Sequence, residues 1–267
     1  MENIYLGVVP IVEQDGRIEI SLKERGKVID YAVMMTRMPT QQRMDNMLRN
    51  NEVTLDHMEQ VAKKLVQFHE SARIVFDSNY FNVQHNFNDL KDESDYIASQ
   101  LGTPQGDLIK SAIKRSDDFM KSYHRIFKLR SELGHVRDCH GDLHSRNIFL
   151  LDEPVIFDCI EFNEDIRHID ILNELAFFCM DLEVFGHNEL SEYFMVCYTK
   201  LTSTIHSQEE SDLFVYFKAY RANVRAKVNA LRAKSTTGED HLKALSECDK
   251  YLKHMNMYLE KLPAVPK

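Results

Sequence analysis

The sequence has no Cys-x-x-Cys pair, no apolar run long enough to span a membrane and no excess of basic residues. Each absence removes a class. The five cysteines, Cys139, Cys159, Cys179, Cys197 and Cys248, are odd in number and widely spaced. That argues against a disulfide framework and fits a reducing cytoplasm. Cys139 and Cys159 adjoin apolar runs and read as buried thiols. A spanning helix needs roughly 18 or more consecutive apolar residues, so a soluble protein without membrane contact is expected. Residues 1–10 lack a basic segment, a long apolar core and a small-residue cleavage site, so no signal peptide is expected. With 33 Lys and Arg against 42 Asp and Glu, the formal net charge is −9. A nucleic-acid partner would need a basic face, and none is expected.

What is present suits one large domain or two lobes: 267 residues, 43% hydrophobic and 28% charged. Residues 5–12 are apolar and β-rich, Asp15-Gly16 is a hairpin-turn signal, and residues 17–22 alternate with period two. Residues 28–35 read as a third, buried strand of a small antiparallel sheet. Met34, Met35 and Met38 read as core. Pro39 ends the strands. Residues 41–72 turn helical, with Asp56 as a candidate cap for a helix carrying Val61, Ala62, Leu65 and Phe68 at spacings near three and four. Residues 79–88 read as a polar loop, and 102–104 as a break. A long charged helix is expected over 108–133, ended by Gly134. Short apolar pieces at 136–142, 148–151 and 155–158 read as strands holding loops. From 170 to 261 the pattern is helical: 171–182, 189–202, 209–231 and 239–262, with Gly186 and Gly238 between.

The chemistry concentrates in His140-Gly141-Asp142-Leu143-His144-Ser145-Arg146-Asn147 and Ile156-Phe157-Asp158. Phosphoryl transfer needs a carboxylate to orient or accept the proton of the attacking hydroxyl, oxygen ligands for Mg²⁺ and a frame that fixes both. Asp142 and Asn147 share one polar loop. Asp158 follows at the end of an apolar strand. Asp142 suits the catalytic base, and Asn147 and Asp158 suit Mg²⁺ ligands. The spacing from Asp142 to Asn147 matches the catalytic loop of protein kinases. Three other readings compete: a plain polar turn, a zinc site of His140, Asp142 and His144, and a Cys139 nucleophile. Glu161 and Asp165 are open between cleft lining and solvated surface. Arg221, Arg225, Lys227 and Arg232 suit a salt-bridged helix face, with a substrate-anion site as the alternative.

His-Gly-Asp-Leu-His-x-x-Asn-Ile resembles the signature of the aminoglycoside phosphotransferase and choline kinase-like enzymes. Residues 137–144, 157–162 and 167–176, with 5–11, 31–39, Phe68-His69, 220–222 and 224–227, resemble a bacterial subfamily often fused to a P-loop ATPase. The resemblance implies an α+β, protein kinase-like fold, with a truncated, β-rich N-lobe over 1–38 and a large, mainly helical C-lobe over 39–267. It also implies ATP and Mg²⁺ as cofactors, a small-molecule hydroxyl as acceptor, and a P-loop ATPase domain or chain as partner. Adenine would meet the hinge at Met35, Thr36 and Arg37. Asp142 carries over as base, and Asn147 and Asp158 as metal ligands. His140 and His144 would brace the loop, and Asp170 would tie the C-lobe helix to it. The sequence departs from the family at its start: no GxGxxG, no Val-Ala-Ile-Lys strand and no GxxxxGK[ST] occurs. Lys23 and Lys27 are weak stand-ins for the phosphate-binding Lys. The alternative expectation is therefore a pseudokinase, or a non-catalytic binding module.

Overall fold

The computed structural model describes residues 4–21, 26–76 and 81–263. Lys23 lies outside them. Strands β1 (Tyr5–Gln14), β2 (Arg17–Ile20) and β3 (Lys27–Met35) form an antiparallel sheet in the order β2-β1-β3. Asp15 and Gly16 both take positive φ, +52° and +73°. That backbone twist matches the strands it joins. The register places Ile11 opposite Ile20 and Tyr5 opposite Met35. The expectation that residues 28–35 are buried is corrected. No layer among the described residues covers the sheet, so Val8, Ile18, Ile20 and Tyr31 are 66%, 71%, 63% and 64% exposed. Met34 and Met35 are exposed too, while Val12 is fully buried.

Helix α1 (Met44–Arg49) and helix α2 (Leu55–Ser71) follow. Thr54, not Asp56, caps α2: its Oγ1 accepts from His57 N–H while His57 Nδ1 accepts from Thr54 N–H. Asp56 sits in the first turn, where its charge favours the helix dipole. Met58, Val61, Ala62 and Leu65 form the buried stripe. Residues 81–88, expected as loop, are helical (α3, Phe81–Asn88). Tertiary packing overrides their polar composition. Phe87 is fully buried, and Gln84 and Asn88 both donate to Asp117 Oδ1, at 2.6 and 3.1 Å.

Helix α4 (Ser94–Leu101) stops at Gly102, whose φ is +107°. Helix α5 (Thr103–Glu132) begins at once, earlier than the pattern suggests, because Pro104 fits the first turn of a helix. Strand β4 (Val136–Asp138) pairs with β7 (His168–Asp170), and β5 (Ile148–Leu150) with β6 (Pro154–Ile156). The four-residue helix α6 (Glu164–Arg167) precedes β7. Helices α7 (Ile171–Val184), α8 (Asn188–Leu201), α9 (Gln208–Ser235) and α10 (Gly238–Lys261) complete the fold.

Helix α7 is buried along almost its whole length, packed between α8 and α9. An all-round apolar helix is stable only in such a place. One polar hub ties its start to α5 and α9. Arg130, with no solvent exposure, holds Asp170 through two bonds of 2.7 and 2.9 Å and Glu210 through one of 2.6 Å. Among the described residues, no helix is long and apolar enough to cross a membrane.

Candidate active site

The site is the turn between β4 and β5 together with the segment leaving β6. Gly141 takes φ +83°, and a Cβ there would lie 3.1 Å from Ile160 Cγ1 and 3.2 Å from Arg167 Cβ. Only glycine fits both the backbone and the space. Its peptide groups are clamped from below: Gly141 N–H donates to Glu174 Oε1 at 2.8 Å, and its carbonyl accepts from Arg221 Nη1 at 3.1 Å. Asp181 Oδ2 accepts from Ser145 N–H at 2.8 Å. Two carboxylates of α7 and one guanidinium of α9 thus fix the loop.

Two histidines set its shape, and their tautomers follow from their partners. His140 Nδ1 accepts from Asp142 N–H, so Nε2–H donates to the Phe157 carbonyl at 2.8 Å. His144 Nδ1 accepts from Arg146 N–H, so Nε2–H points at Asp142 Oδ2, 3.3 Å away. Asn147 Nδ2 donates to the Asp142 carbonyl at 3.0 Å and to its Oδ2 at 3.1 Å. That leaves the Asn147 Oδ1 without a hydrogen bond among the described residues. Asp158 has left-handed φ, +62°, unusual for a residue other than glycine. It lies between two stitches to the loop, Phe157 N–H to Asn147 O at 3.1 Å and Ile160 N–H to His140 O at 3.0 Å. Its carboxylate is exposed, and its N–H donates to the Tyr5 hydroxyl at 3.3 Å.

The structure therefore brings Asp142, His144 and Asn147 into direct contact, with His140 in the same turn and Asp158 on the segment stitched to it. Met35, Thr36 and Arg37 lie at the end of β3. Met35 pairs with Tyr5, and Tyr5 reaches Asp158. A cavity of about 560 Å³ opens there, lined by Tyr5, Leu65, Phe68, His140, Phe157 and Asp158, with Glu161 also at its wall. Lys27 begins β3 on the exposed sheet. Asp165 is exposed at the start of α6.

Asp170 caps α7 by accepting from Leu172 N–H at 2.8 Å and pairs with Arg130. The loop is held by Glu174 and Asp181, one and three turns further along the helix. Sequence reading missed both, although an acid inside the run Ile171-Leu-Asn-Glu-Leu-Ala-Phe-Phe is a signal in itself, because a buried charge needs a partner. His69 enters the family resemblance only through the pair Phe68-His69. Its Nε2 is 2.7 Å from Glu174 Oε2, and its Nδ1 is 2.8 Å from the Tyr198 hydroxyl.

Electrostatics agree with the geometry. Burial pushes the Asp142 carboxyl up, but the hydrogen bond from His144 and the charges of Arg225 and Arg221 outweigh it and hold it well below the usual range. Glu174 is also held low: burial opposes ionisation, and His69 together with the Gly141 N–H overcomes it. Burial drives the Cys139 thiol well above its ordinary value, which removes the nucleophile reading. In the zinc reading, His140 has both ring nitrogens committed. A different group, His69, Cys139 and Glu174, does bring its ligand atoms within 4.8 Å of one another. It is buried, and its His and Glu atoms are already hydrogen-bonded. In the basic run, Lys227 pairs with Asp89 at 3.0 Å and Arg232 with Asp240 at 3.7 Å.

The chain belongs to the phosphotransferase enzyme family, whose model matches residues 13–196. This is the aminoglycoside phosphotransferase and choline kinase-like group of the protein kinase-like superfamily. It is similar to the uncharacterized proteins Rv2004c of Mycobacterium tuberculosis and Mb2027c of Mycobacterium bovis, each 28% identical over 239 residues covering 85% of this chain and 46% of the relative. The chain thus spans about half the length of these curated relatives. No solved structure matches it.

Proposed function

We propose that the chain transfers the γ-phosphoryl group of ATP, with Mg²⁺, to a hydroxyl of a small molecule. The observation that carries this is one hydrogen-bonded unit: Asp142 held by Asn147 and His144 on a rigid turn, with Asp158 stitched opposite. The donor set fits the metal. Asn147 keeps an amide oxygen free, Asp158 offers an exposed carboxylate, and Mg²⁺ prefers such oxygens. When bound, Mg·ATP supplies the electrophilic phosphorus and a metal that neutralises charge on its oxygens. In the transfer, the bond from the γ-phosphorus to the ADP oxygen breaks as one to the acceptor oxygen forms. The acceptor's proton leaves toward Asp142. Because Asp142 is a weak base, its main work is to accept the hydroxyl's hydrogen bond and aim its oxygen, taking the proton late. Met35, Thr36 and Arg37 would offer backbone groups to adenine. The second chain or domain expected as partner, a P-loop ATPase, stays part of this proposal.

The test is ADP release from Mg·ATP across a panel of hydroxyl compounds, with Asp142→Ala as control. Release that falls by about 10²–10⁴-fold in the variant is expected. Release no higher than the variant's for every compound would overturn the proposal. A rise in melting temperature with Mg·ATP, without turnover, would favour the alternative of a non-catalytic binding module.

A further inference from the structure

In a chain of net charge −9, positive charge accumulates beside the catalytic turn. Asp45 on α1 is 1% exposed and receives Arg43 through Nε and Nη2, at 2.5 and 3.0 Å, and Arg49 Nη1 at 3.0 Å. Arg146, inside the catalytic turn, brings its Nε to 3.9 Å of the same carboxylate. Three guanidiniums share one carboxylate, which leaves two positive charges over. Arg49 commits only Nη1, to Asp45 and Asn46.

Beyond Arg49, its guanidinium lies over the Phe185 ring at 5.3 Å, and the Lys250 ammonium lies over the same ring at 5.6 Å. No carboxylate among the described residues lies within ion-pair distance of Lys250. A cavity of about 290 Å³ opens between them, lined by Arg49, Phe185, His187, Glu247, Lys250 and Tyr251. Only one wall residue, Glu247, is acidic. Arg49 and Lys250 gather on one ring with a single acid in the wall, and their mutual repulsion favours an anion between them.

Two chains of side-chain contact run from the cavity wall toward the site. Arg49 and Arg146 share Asp45. Tyr251 carries Arg225 over its ring at 5.6 Å, and Arg225 lies one helical turn after Arg221, whose Nη1 donates to the Gly141 carbonyl. The buried Arg225 Nε has no hydrogen-bond partner among the described residues.

We infer that this cavity is an anion site that takes the phosphate or carboxylate of the acceptor, at the end of the molecule away from the hydroxyl that reacts. Arg49 and Lys250 are the binding residues. The acceptor assignment rests on the phosphotransfer reading above; anion binding does not.

The test has two arms on the full chain. In the first, inorganic phosphate is titrated while thermal stability is followed, for the wild type, Lys250→Gln, Arg49→Gln and Lys253→Gln. Lys253 pairs with Asp249, one turn back, and serves as the charge control. The wild type and Lys253→Gln should be stabilised saturably, and each cavity variant should bind roughly tenfold more weakly, as expected for losing one charged hydrogen bond. Because Arg49 also braces α1, Lys250→Gln decides the arm if Arg49→Gln unfolds. Phosphate binding equal in Lys250→Gln and the wild type would overturn the inference. In the second arm, wild-type ADP release is compared for glycerol against glycerol 3-phosphate and for ribose against ribose 5-phosphate. The phosphorylated member should be preferred, and equal rates would overturn the acceptor assignment. If no compound of any charge is turned over, the phosphotransfer reading fails, and the phosphate titration still decides the site.

Discussion

Replacing Glu174 by glutamine removes one negative charge from a position without solvent exposure while keeping the side chain's shape. The carboxylate bridges His69, at 2.7 Å, and Gly141 N–H, at 2.8 Å. In Glu174→Gln the amide oxygen keeps the Gly141 bond, and its NH₂ faces His69 Nε2, which must become an acceptor. One charge-assisted bond is exchanged for a neutral one, a loss of about 2 kcal/mol. For a chain of this size that is a fall of roughly 4–8 °C in melting temperature. Glu174→Leu leaves both Gly141 N–H and His69 without an acceptor and costs about 3–5 kcal/mol. The pH dependence has a definite sign. The carboxyl is held below its ordinary value in the folded protein, so its contribution is complete above about pH 4, the unfolded range, and is lost as pH falls through the folded value. The gap between wild type and Glu174→Gln should therefore narrow in acid. Urea unfolding at neutral and acidic pH measures it. Equal stability at neutral pH, or a gap that widens in acid, would refute the reasoning.

Gly141→Ala should cost about 1–3 kcal/mol, because the φ of +83° and the contacts at 3.1 and 3.2 Å both oppose a methyl group; denaturant midpoints check it. Arg130→Met leaves Asp170 and Glu210 buried without their counter-ion and should destabilise by about 3–5 kcal/mol, read by thermal unfolding. Replacing exposed Ile18 and Ile20 by threonine should raise solubility while moving stability by no more than about 0.5 kcal/mol, because neither side chain is packed. Solubility limits and melting curves of the double variant test this together.

Much of this arrangement is legible from residue order. The hairpin at Asp15-Gly16, the four helices after residue 170 and the Asp142–Asn147–Asp158 spacing depend on local backbone chemistry or short loops, which sequence records directly. Errors arise where distant contacts decide. Residues 81–88 look like a loop, yet the buried Phe87 and the shared Asp117 hold them helical. Residues 28–35 look buried because they are apolar, yet burial depends on a covering layer and not on the strand itself. The family resemblance gives Asp170 the tie from the C-lobe helix to the loop, and Asp170 caps that helix. The acid that reaches Gly141 is Glu174, one turn later, and the acid that reaches Ser145 is Asp181, three turns on. The arginine gathering at Asp45 draws on residues 43, 49 and 146, a separation no periodicity reports.

Asp142→Asn gives the most direct test of the proposed phosphotransfer site. The substitution removes the carboxylate and keeps a side chain of the same shape beside Asn147 and His144. Mg·ATP binding by calorimetry and ADP release with a responsive acceptor are measured on the same preparations. The account predicts that binding stays within about threefold of wild type while release falls by about 10²–10⁴-fold. Release that persists at the wild-type rate in Asp142→Asn would contradict it.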